Sequence, residues 1–293
     1  MITPIINLTN NIFAKFEAFN VSGSHKVRAA HFIISSAIKK GQIIPGKTTV
    51  IEKTGGNFGF GLIYACNEFN LDIELAIGLS FSKKKRLYLE ALGAKLIGKE
   101  MLERGKTPKE VVEYHLQNAN NFGKDYFYTD QFNNIDSLNG HLKSTGPEIC
   151  HQLINLIDSR ELFFVSCAGT GASLMGIRKS LIANGFSVKT CLVEPSGCDS
   201  ENEKFTDHRF EGMAVGVSPP FINWNDIDIK IHIDFEIALD EQKYIAKKIG
   251  QFVGNTSAAC VAASRIIEKE NPHTPILTMI YDHGLWYDDL ITR

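Results

Sequence analysis

Apolar and polar positions along this chain fall into alternating short and long segments. Residues 48–52, 71–79, 94–98, 188–193 and 275–281 read as strands, and 162–167 is an apolar one. Residues 226–234 alternate strictly between a polar residue and Ile, the period-2 pattern of a half-buried strand. Between these runs, 60–68, 83–92, 107–118, 174–183, 241–251 and 257–268 read as helices, with Thr107-Pro108 as a helix start. Strands separated by helices of about 10–15 residues imply βαβ units and a mostly parallel sheet. No repeat, low-complexity stretch or long linker interrupts the pattern, so a second domain must be folded into the first rather than strung on.

Composition narrows the class. The 293 residues suffice for one large domain or two ordinary ones. Apolar residues at 44% and charged residues at 22% are the balance of a soluble globular protein. A formal net charge of −2 gives no global pull toward nucleic acid or membrane. The densest basic run, Lys83-Lys84-Lys85-Arg86, opens a helix and is expected to be a solvated face. No stretch reaches the ~18 apolar residues of a membrane span. Met1-Ile2-Thr3-Pro4-Ile5 lacks the basic start and apolar block of a signal peptide. The cysteines (Cys66, Cys150, Cys167, Cys191, Cys198, Cys260) are scattered without a C-x-x-C pair and read as small hydrophobes in a reducing cytoplasm. His141, His151 and His208 lack metal-ligand spacing, so no metal is expected.

Ligands of open parallel sheets bind at the carboxyl ends of strands, near helix N-termini. Two such turns are rich in glycine: Thr54-Gly55-Gly56-Asn57-Phe58-Gly59 and Ala168-Gly169-Thr170-Gly171-Ala172-Ser173. The second reads either as an ordinary tight turn or as an anion cradle, with N–H groups, a helix N-terminus and the hydroxyls of Thr170 and Ser173 as donors. No Lys follows as in a nucleotide P-loop, and Leu174 occupies the last glycine place of G-x-G-x-x-G, so a single phosphate is the natural guest. Lys26, in Asn20-Val21-Ser22-Gly23-Ser24-His25-Lys26-Val27-Arg28, sits just inside a helix start after a polar turn. Read alone it is a surface lysine or, beside a positive helix end, a nucleophilic one.

The order of motifs resembles one family. Lys15, Glu17, Asn20 and the Ser22-to-Arg28 run are similar to the N-terminal signature of the cysteine synthase/cystathionine β-synthase family, fold-type II pyridoxal-phosphate (PLP) enzymes. Val27 replaces the acid that follows the family's lysine. Further resemblances come in order: Glu52 to Gly59; Asp130-Gln131-Phe132-Asn133-Asn134 with Thr145-Gly146-Pro147-Glu148-Ile149; Gly169 to Ser173; Val193-Glu194-Pro195; Glu211 to Gly216; and Val253 to Ala259. The family's usual helix before Thr3-Pro4 is not seen, so a trimmed member is expected.

The resemblance implies two three-layer α/β/α domains with mostly parallel sheets and PLP in the cleft between them. It places a larger PLP-anchoring domain at 1–34 and 136–293 and a smaller, mobile substrate domain at 35–135. Lys26 then forms the Schiff base and later moves the Cα proton. Asn57 hydrogen-bonds the cofactor's phenolic oxygen. Gly169, Thr170, Gly171, Ala172 and Ser173 hold its phosphate, and Thr256, or Ser257 one residue on, faces the ring nitrogen. Thr54 and Gln131, with the backbone of Gly55, Gly56 and Phe58, hold the substrate carboxylate. A neutral hydroxyl at the ring nitrogen favours loss of a β-substituent over transamination.

The implied activity is β-replacement on L-serine or an O-activated serine through an α-aminoacrylate, as in cysteine synthase. The alternatives are a β-eliminating lyase or dehydratase and a PLP-binding regulatory paralogue. A small amino-acid substrate, a homodimer and a cytoplasmic location complete the expectation.

Two departures bear on the substrate. Gly55 stands where the family has Ser, and Phe58 where it has Thr, so two hydroxyl donors are lost and a ring is added. His25 before Lys26 resembles tryptophan synthase β and is either a phosphate donor or a polar filler. Asp282-His283-Gly284 resembles the family's closing turn, with His283 a weaker candidate catalyst. Trp286-Tyr287 reads as packing or a subunit contact.

Overall fold

The computed structural model describes residues 2–79 and 83–286. The chain opens with two short strands, β1 (Ile5–Asn7) and β2 (Ile12–Phe16), followed by helix α1 (Lys26–Lys39). An alternating stretch comes next: β3 (Thr48–Glu52), α2 (Asn57–Glu68), β4 (Asp72–Leu75), α3 (Lys83–Ala91), β5 (Lys95–Leu96), α4 (Lys99–Glu103), α5 (Pro108–Gln117) and β6 (Asp125–Tyr128). A long helical stretch begins as α6 (Asp136–Gly140), passes through a π-helical turn at His141–Thr145 and continues as α7 (Gly146–Leu153). The chain closes with β7 (Glu161–Cys167), α8 (Ala172–Ala183), β8 (Ser187–Pro195), β9 (Ile229–Ile233), α9 (Phe235–Ile249), α10 (Asn255–Glu270) and β10 (Ile276–Ile280).

Two compact units result, Met1–His25 with Leu138–Arg293, and Lys26–Ser137. The chain thus passes from one unit to the other between His25 and Lys26. The sequence put this boundary after residue 34. The difference arises because α1 packs along α2 and so belongs with the inserted segment.

The larger unit is built on a six-stranded sheet in the order β1-β2-β10-β7-β8-β9, parallel except for β1 against β2. Its core includes Phe16, Phe164, Leu174, Leu192, Val261 and Ile280. The connection from β7 to β8, which carries α8, and that from β9 to β10, which carries α10, run in opposite directions across the sheet, so the right-handed rule for parallel crossovers assigns the two helices to opposite faces. The smaller unit has a four-stranded parallel sheet, β5-β4-β3-β6, with Ile51, Ala76, Ile97 and Val111 in its core.

Each sheet has one place where the strand order reverses: between β7 and β10 in the larger unit, and between β3 and β6 in the smaller. At such a switch the loops at the strands' carboxyl ends part in opposite directions and leave a crevice. The two glycine-rich turns singled out in the sequence follow β7 and β3, the strands that flank these switches.

Several expectations need adjusting. Helix α9 begins at Phe235, six residues before the expected start, because Ala238, Leu239, Gln242 and Ile245 already lie on one buried helical face. The basic run opening α3 is not wholly solvated: Lys83 and Lys84 are exposed, but Lys85 is buried on the side of the helix that carries Leu89. All six cysteines are buried free thiols. Tyr287 of the Trp286-Tyr287 pair lies outside the described residues. Among the described residues no helix is long and apolar enough to cross a membrane.

Candidate functional site

In the larger unit, β7 delivers the chain into the Ala168–Ser173 turn and α8 carries it away. Gly171 caps α8 in the left-handed region at φ +82°, which a side chain rarely adopts. Gly169 faces a different constraint: a Cβ there would lie 2.7 Å from the Gly212 carbonyl oxygen. The turn is braced from outside. Ala214 N–H donates to Ala168 O at 3.2 Å, and Phe221 N–H donates to Thr170 O at 3.1 Å. Thr170 is buried, and its Oγ1 accepts the Ala172 N–H at 3.3 Å. Gly169 and Ser173 remain half-buried.

The first N–H groups of α8 have no carbonyl one turn back to bond to, and the first turn carries no acid. These donors, the positive end of a twelve-residue helix and the Ser173 hydroxyl fit a phosphate.

The neighbouring strand β10 ends at a hub, Tyr281, which sequence reading placed only as the end of a strand. Its hydroxyl hydrogen-bonds Ser166 Oγ at 2.7 Å and accepts the Cys167 N–H at 3.0 Å, fixing the strand end that feeds the Ala168–Ser173 turn. Its N–H donates to Ser257 Oγ at 2.9 Å on α10. Its carbonyl accepts the His25 N–H at 2.9 Å, one residue before Lys26. Full burial and the nearby Cys167 and Cys260 thiols raise the Tyr281 hydroxyl pKa well above its ordinary value, so it stays protonated and holds this place as a neutral hydroxyl.

The next residues continue the stitching. Gly254 N–H donates to Asp282 O at 3.0 Å and Gly284 N–H to Phe252 O at 2.7 Å. Ser24 bridges to Asp282, and Val253 to His283. The segments leading into Lys26 and Thr256 are therefore fastened to the same short stretch after β10. Thr256, the second residue of α10, is 6% exposed, whereas Ser257 is fully buried and its oxygen is already engaged.

Polar side chains inside the resembling motifs, for which the resemblance implied no role, also gather in these segments. The hydroxyls of Ser22 and Ser24 and both side-chain atoms of Asn255 are buried without a hydrogen-bond partner among the described residues. Such groups are rare in native folds and fit a site that holds a polar guest.

The histidines have mixed fates. His25 packs edge-on to Tyr281, ring centroids 4.9 Å apart, and 5.8 Å from His141. His141 is a core residue whose Nδ1 hydrogen-bonds Thr145 Oγ1 at 3.0 Å. His283 packs on Gly23 of the lysine turn, so close that a Cβ on Gly23 would meet its Nε2 at 2.9 Å. His208 Nε2 hydrogen-bonds the Ala214 carbonyl at 3.1 Å, beside the Ala168–Ser173 turn, while His151 is exposed. Among the described residues no group of His, Cys, Asp and Glu could hold a metal ion.

The smaller unit carries the remaining candidates. Lys26 is the first residue of α1, half-buried, with no acid in the helix's first turn. Gly61 of α2 lets α1 approach closely: a Cβ there would lie 2.8 Å from Val27 Cα and 3.1 Å from the Lys26 carbonyl carbon. Asn57 opens α2 one helical turn earlier, so both helix starts are drawn together. Thr54, Gly56 and Asn57 are half-buried, and the space where a Gly56 Cβ would stand is open within 4 Å. The Phe58 ring is 2% exposed and packed away. After β6, Asp130 takes the left-handed conformation at φ +43°, and Gln131 follows half-buried, its carbonyl accepting the Ser137 hydroxyl at 3.0 Å.

Residues 2–282 match the family described as pyridoxal-phosphate dependent enzyme. Cysteine synthase B of Campylobacter jejuni is 33% identical over 289 residues, 96% of this chain and 92% of that protein. The O-acetylserine dependent cystathionine beta-synthase of Bacillus subtilis is 28% identical, over 96% of this chain and 91% of its own. Among solved structures, a hydrogen sulfide-producing enzyme from Fusobacterium nucleatum superposes with a TM-score of 0.84 at 26% identity, covering 97% of this chain and 94% of that one.

Proposed function

The chain belongs to the pyridoxal-phosphate dependent enzyme family, and we propose that it exchanges the group on the β-carbon of an O-activated L-serine for a small nucleophile, sulfide first among them. The observation that carries this reading is the braced turn after β7, an acid-free helix start with no room for a side chain at Gly169. When bound, the cofactor supplies an electron sink for the pair of electrons left at the substrate's Cα.

The chain's own residues do the rest. The Lys26 amine holds the cofactor and moves the proton at Cα. The N–H groups of Gly169, Thr170, Gly171, Ala172 and Ser173, with the Ser173 hydroxyl, take the phosphate. Asn57 is assigned the phenolic oxygen. Thr256 is assigned the ring nitrogen, supported by the prior engagement of Ser257 Oγ with Tyr281. A hydroxyl there does not force the ring to be protonated as a carboxylate would, so expulsion of a β-group is favoured over transamination.

Thr54, Gln131 and the N–H groups of Gly55, Gly56 and Phe58 take the substrate carboxylate. Gly55 brings no hydroxyl to this loop, and the buried Phe58 ring brings bulk without a donor. In this reading the larger unit anchors the phosphate and the ring. The smaller unit brings the lysine, Asn57 and the carboxylate loop and is the mobile one. A homodimer and a cytoplasmic location belong to the same reading.

A second reading, β-elimination to pyruvate and ammonia, is favoured by the likeness to a hydrogen sulfide-producing enzyme and by the thinned set of hydroxyl donors. Incubation with O-acetylserine, with and without sulfide, separates the two. Replacement predicts cysteine with sulfide and little pyruvate without it. Steady pyruvate release in the absence of a nucleophile selects elimination. An inert protein with bound cofactor overturns both.

A further inference from the structure

Glu52 is the last residue of β3, fully buried, and its carboxylate faces three donors. Oε1 accepts the Lys53 N–H at 2.8 Å. Oε2 accepts the Thr129 hydroxyl at 2.5 Å and the Gln131 N–H at 3.3 Å. Strands β3 and β6 are in register only as far as Ile51 opposite Tyr128, and a long Thr129 N–H to Ile51 O contact of 3.4 Å follows. Beyond that point the two strand ends diverge into the loops that hold Thr54 and Gln131. The Glu52 side chain spans the divergence where the backbone ladder stops.

We infer that Glu52 is a positioning residue for substrate binding, clamping the loop of Thr54 and Asn57 to the turn of Gln131 so that the carboxylate-binding groups keep one fixed spacing. The inference rests on the proposed reading of those residues as the substrate carboxylate site.

The chemistry of the partners explains the residue type. All three are donors, and an ionised carboxylate is acceptor-only, so it satisfies them together. Glutamine has the same shape but turns an NH₂ group toward one donor. Burial pushes the Glu52 carboxyl up to about 7, aided by the Asp130 charge and opposed by Thr129 and the Lys53 and Gln131 N–H groups. Tyr128 on the adjoining strand is pushed upward in turn, by its own burial first and then by the charges of Glu52 and Asp130. The clamp is thus complete above about 7 and short of one acceptor below it.

The stability effect has the opposite sign. The folded value lies above the ordinary 4.5, so the fold favours the protonated form, and that stabilisation is lost as pH rises from 4.5 to about 7.

The test is steady-state kinetics of the PLP-loaded enzyme with O-acetylserine on both sides of pH 7, together with thermal melts. In the parent protein KM falls as pH rises through about 7. Glu52→Gln raises KM about tenfold with kcat largely kept. It also removes the KM transition and flattens the melting temperature between pH 4.5 and about 7. Thr129→Val leaves the carboxylate in place but removes a donor, so it raises KM and moves the transition to higher pH. Should Glu52→Gln fail to fold, the parent and Thr129→Val profiles decide alone, and a flat parent profile overturns the inference. An enzyme that binds PLP and turns over O-acetylserine with a KM indifferent to Glu52 overturns only the clamp. A chain that binds no PLP, or binds it and leaves O-acetylserine untouched, overturns the site reading and the clamp with it.

Discussion

Replacing Lys26 with Ala lowers turnover by about 10³-fold or more and leaves any bound cofactor removable by dialysis. In the proposed reading two roles vanish together in this variant, the covalent hold on the cofactor and the base at Cα. Lys26 begins a helix with no acid in its first turn, and its backbone is pinned to α2 at Gly61. Lys53, the nearest lysine in the carboxylate loop's sequence, lies before that loop and gives its N–H to Glu52. The fold should survive, because Ala suits the first turn of a helix and the half-buried lysine contributes little to the core. Turnover, cofactor absorbance after dialysis and a melting curve check the three parts. Near-normal turnover in a folded variant would remove the lysine from the mechanism.

Gly169→Ala gives the second large effect, by a different route. The added methyl meets the Gly212 carbonyl at 2.7 Å, and a backbone oxygen cannot swing aside as a side chain can. One strand of the brace must move, and the Ala214 N–H to Ala168 O bond ties both strands together. Overpacking of this kind destabilises by about 1–3 kcal/mol. Displacing one or two donors from the phosphate weakens cofactor binding by about ten- to a hundredfold. Titration of the stripped variant with PLP, read by absorbance, measures the second number directly. An unchanged affinity would place the phosphate elsewhere.

The helices and parallel strands of the two sheets were largely legible because their apolar runs are long and punctuated by glycine turns. Strands β1 and β2 were not. β2 reads Ile-Phe-Ala-Lys-Phe, and a lysine in so short a run argues against a core strand, yet Lys15 is fully buried. Its ammonium is held by the Thr3 carbonyl, by the Glu148 carboxylate and by Gln152, the last two far away in sequence. β6, Asp-Tyr-Phe-Tyr, hid for a related reason: its residues are only partly buried, and Tyr126 bonds Glu74 at 2.7 Å across the sheet.

The candidate site divides in the same way. Gly169, Gly171 and Asn57 announce themselves through local turn chemistry. Lys26 and Thr256 needed the order of the other motifs to stand out. Tyr281, Asn255 and Glu52 act through hydrogen bonds, or the lack of them, set by tertiary structure, and no local pattern in the sequence encodes that.

In the proposed reading the cofactor is joined to Lys26. Reduction of the purified protein with borohydride, followed by digestion and peptide mass mapping, tests it most directly. A phosphopyridoxyl group is expected on the peptide that contains Lys26, with the other lysines unmodified. The same mass on a different lysine, or PLP-saturated protein that acquires no modification at all, would contradict it.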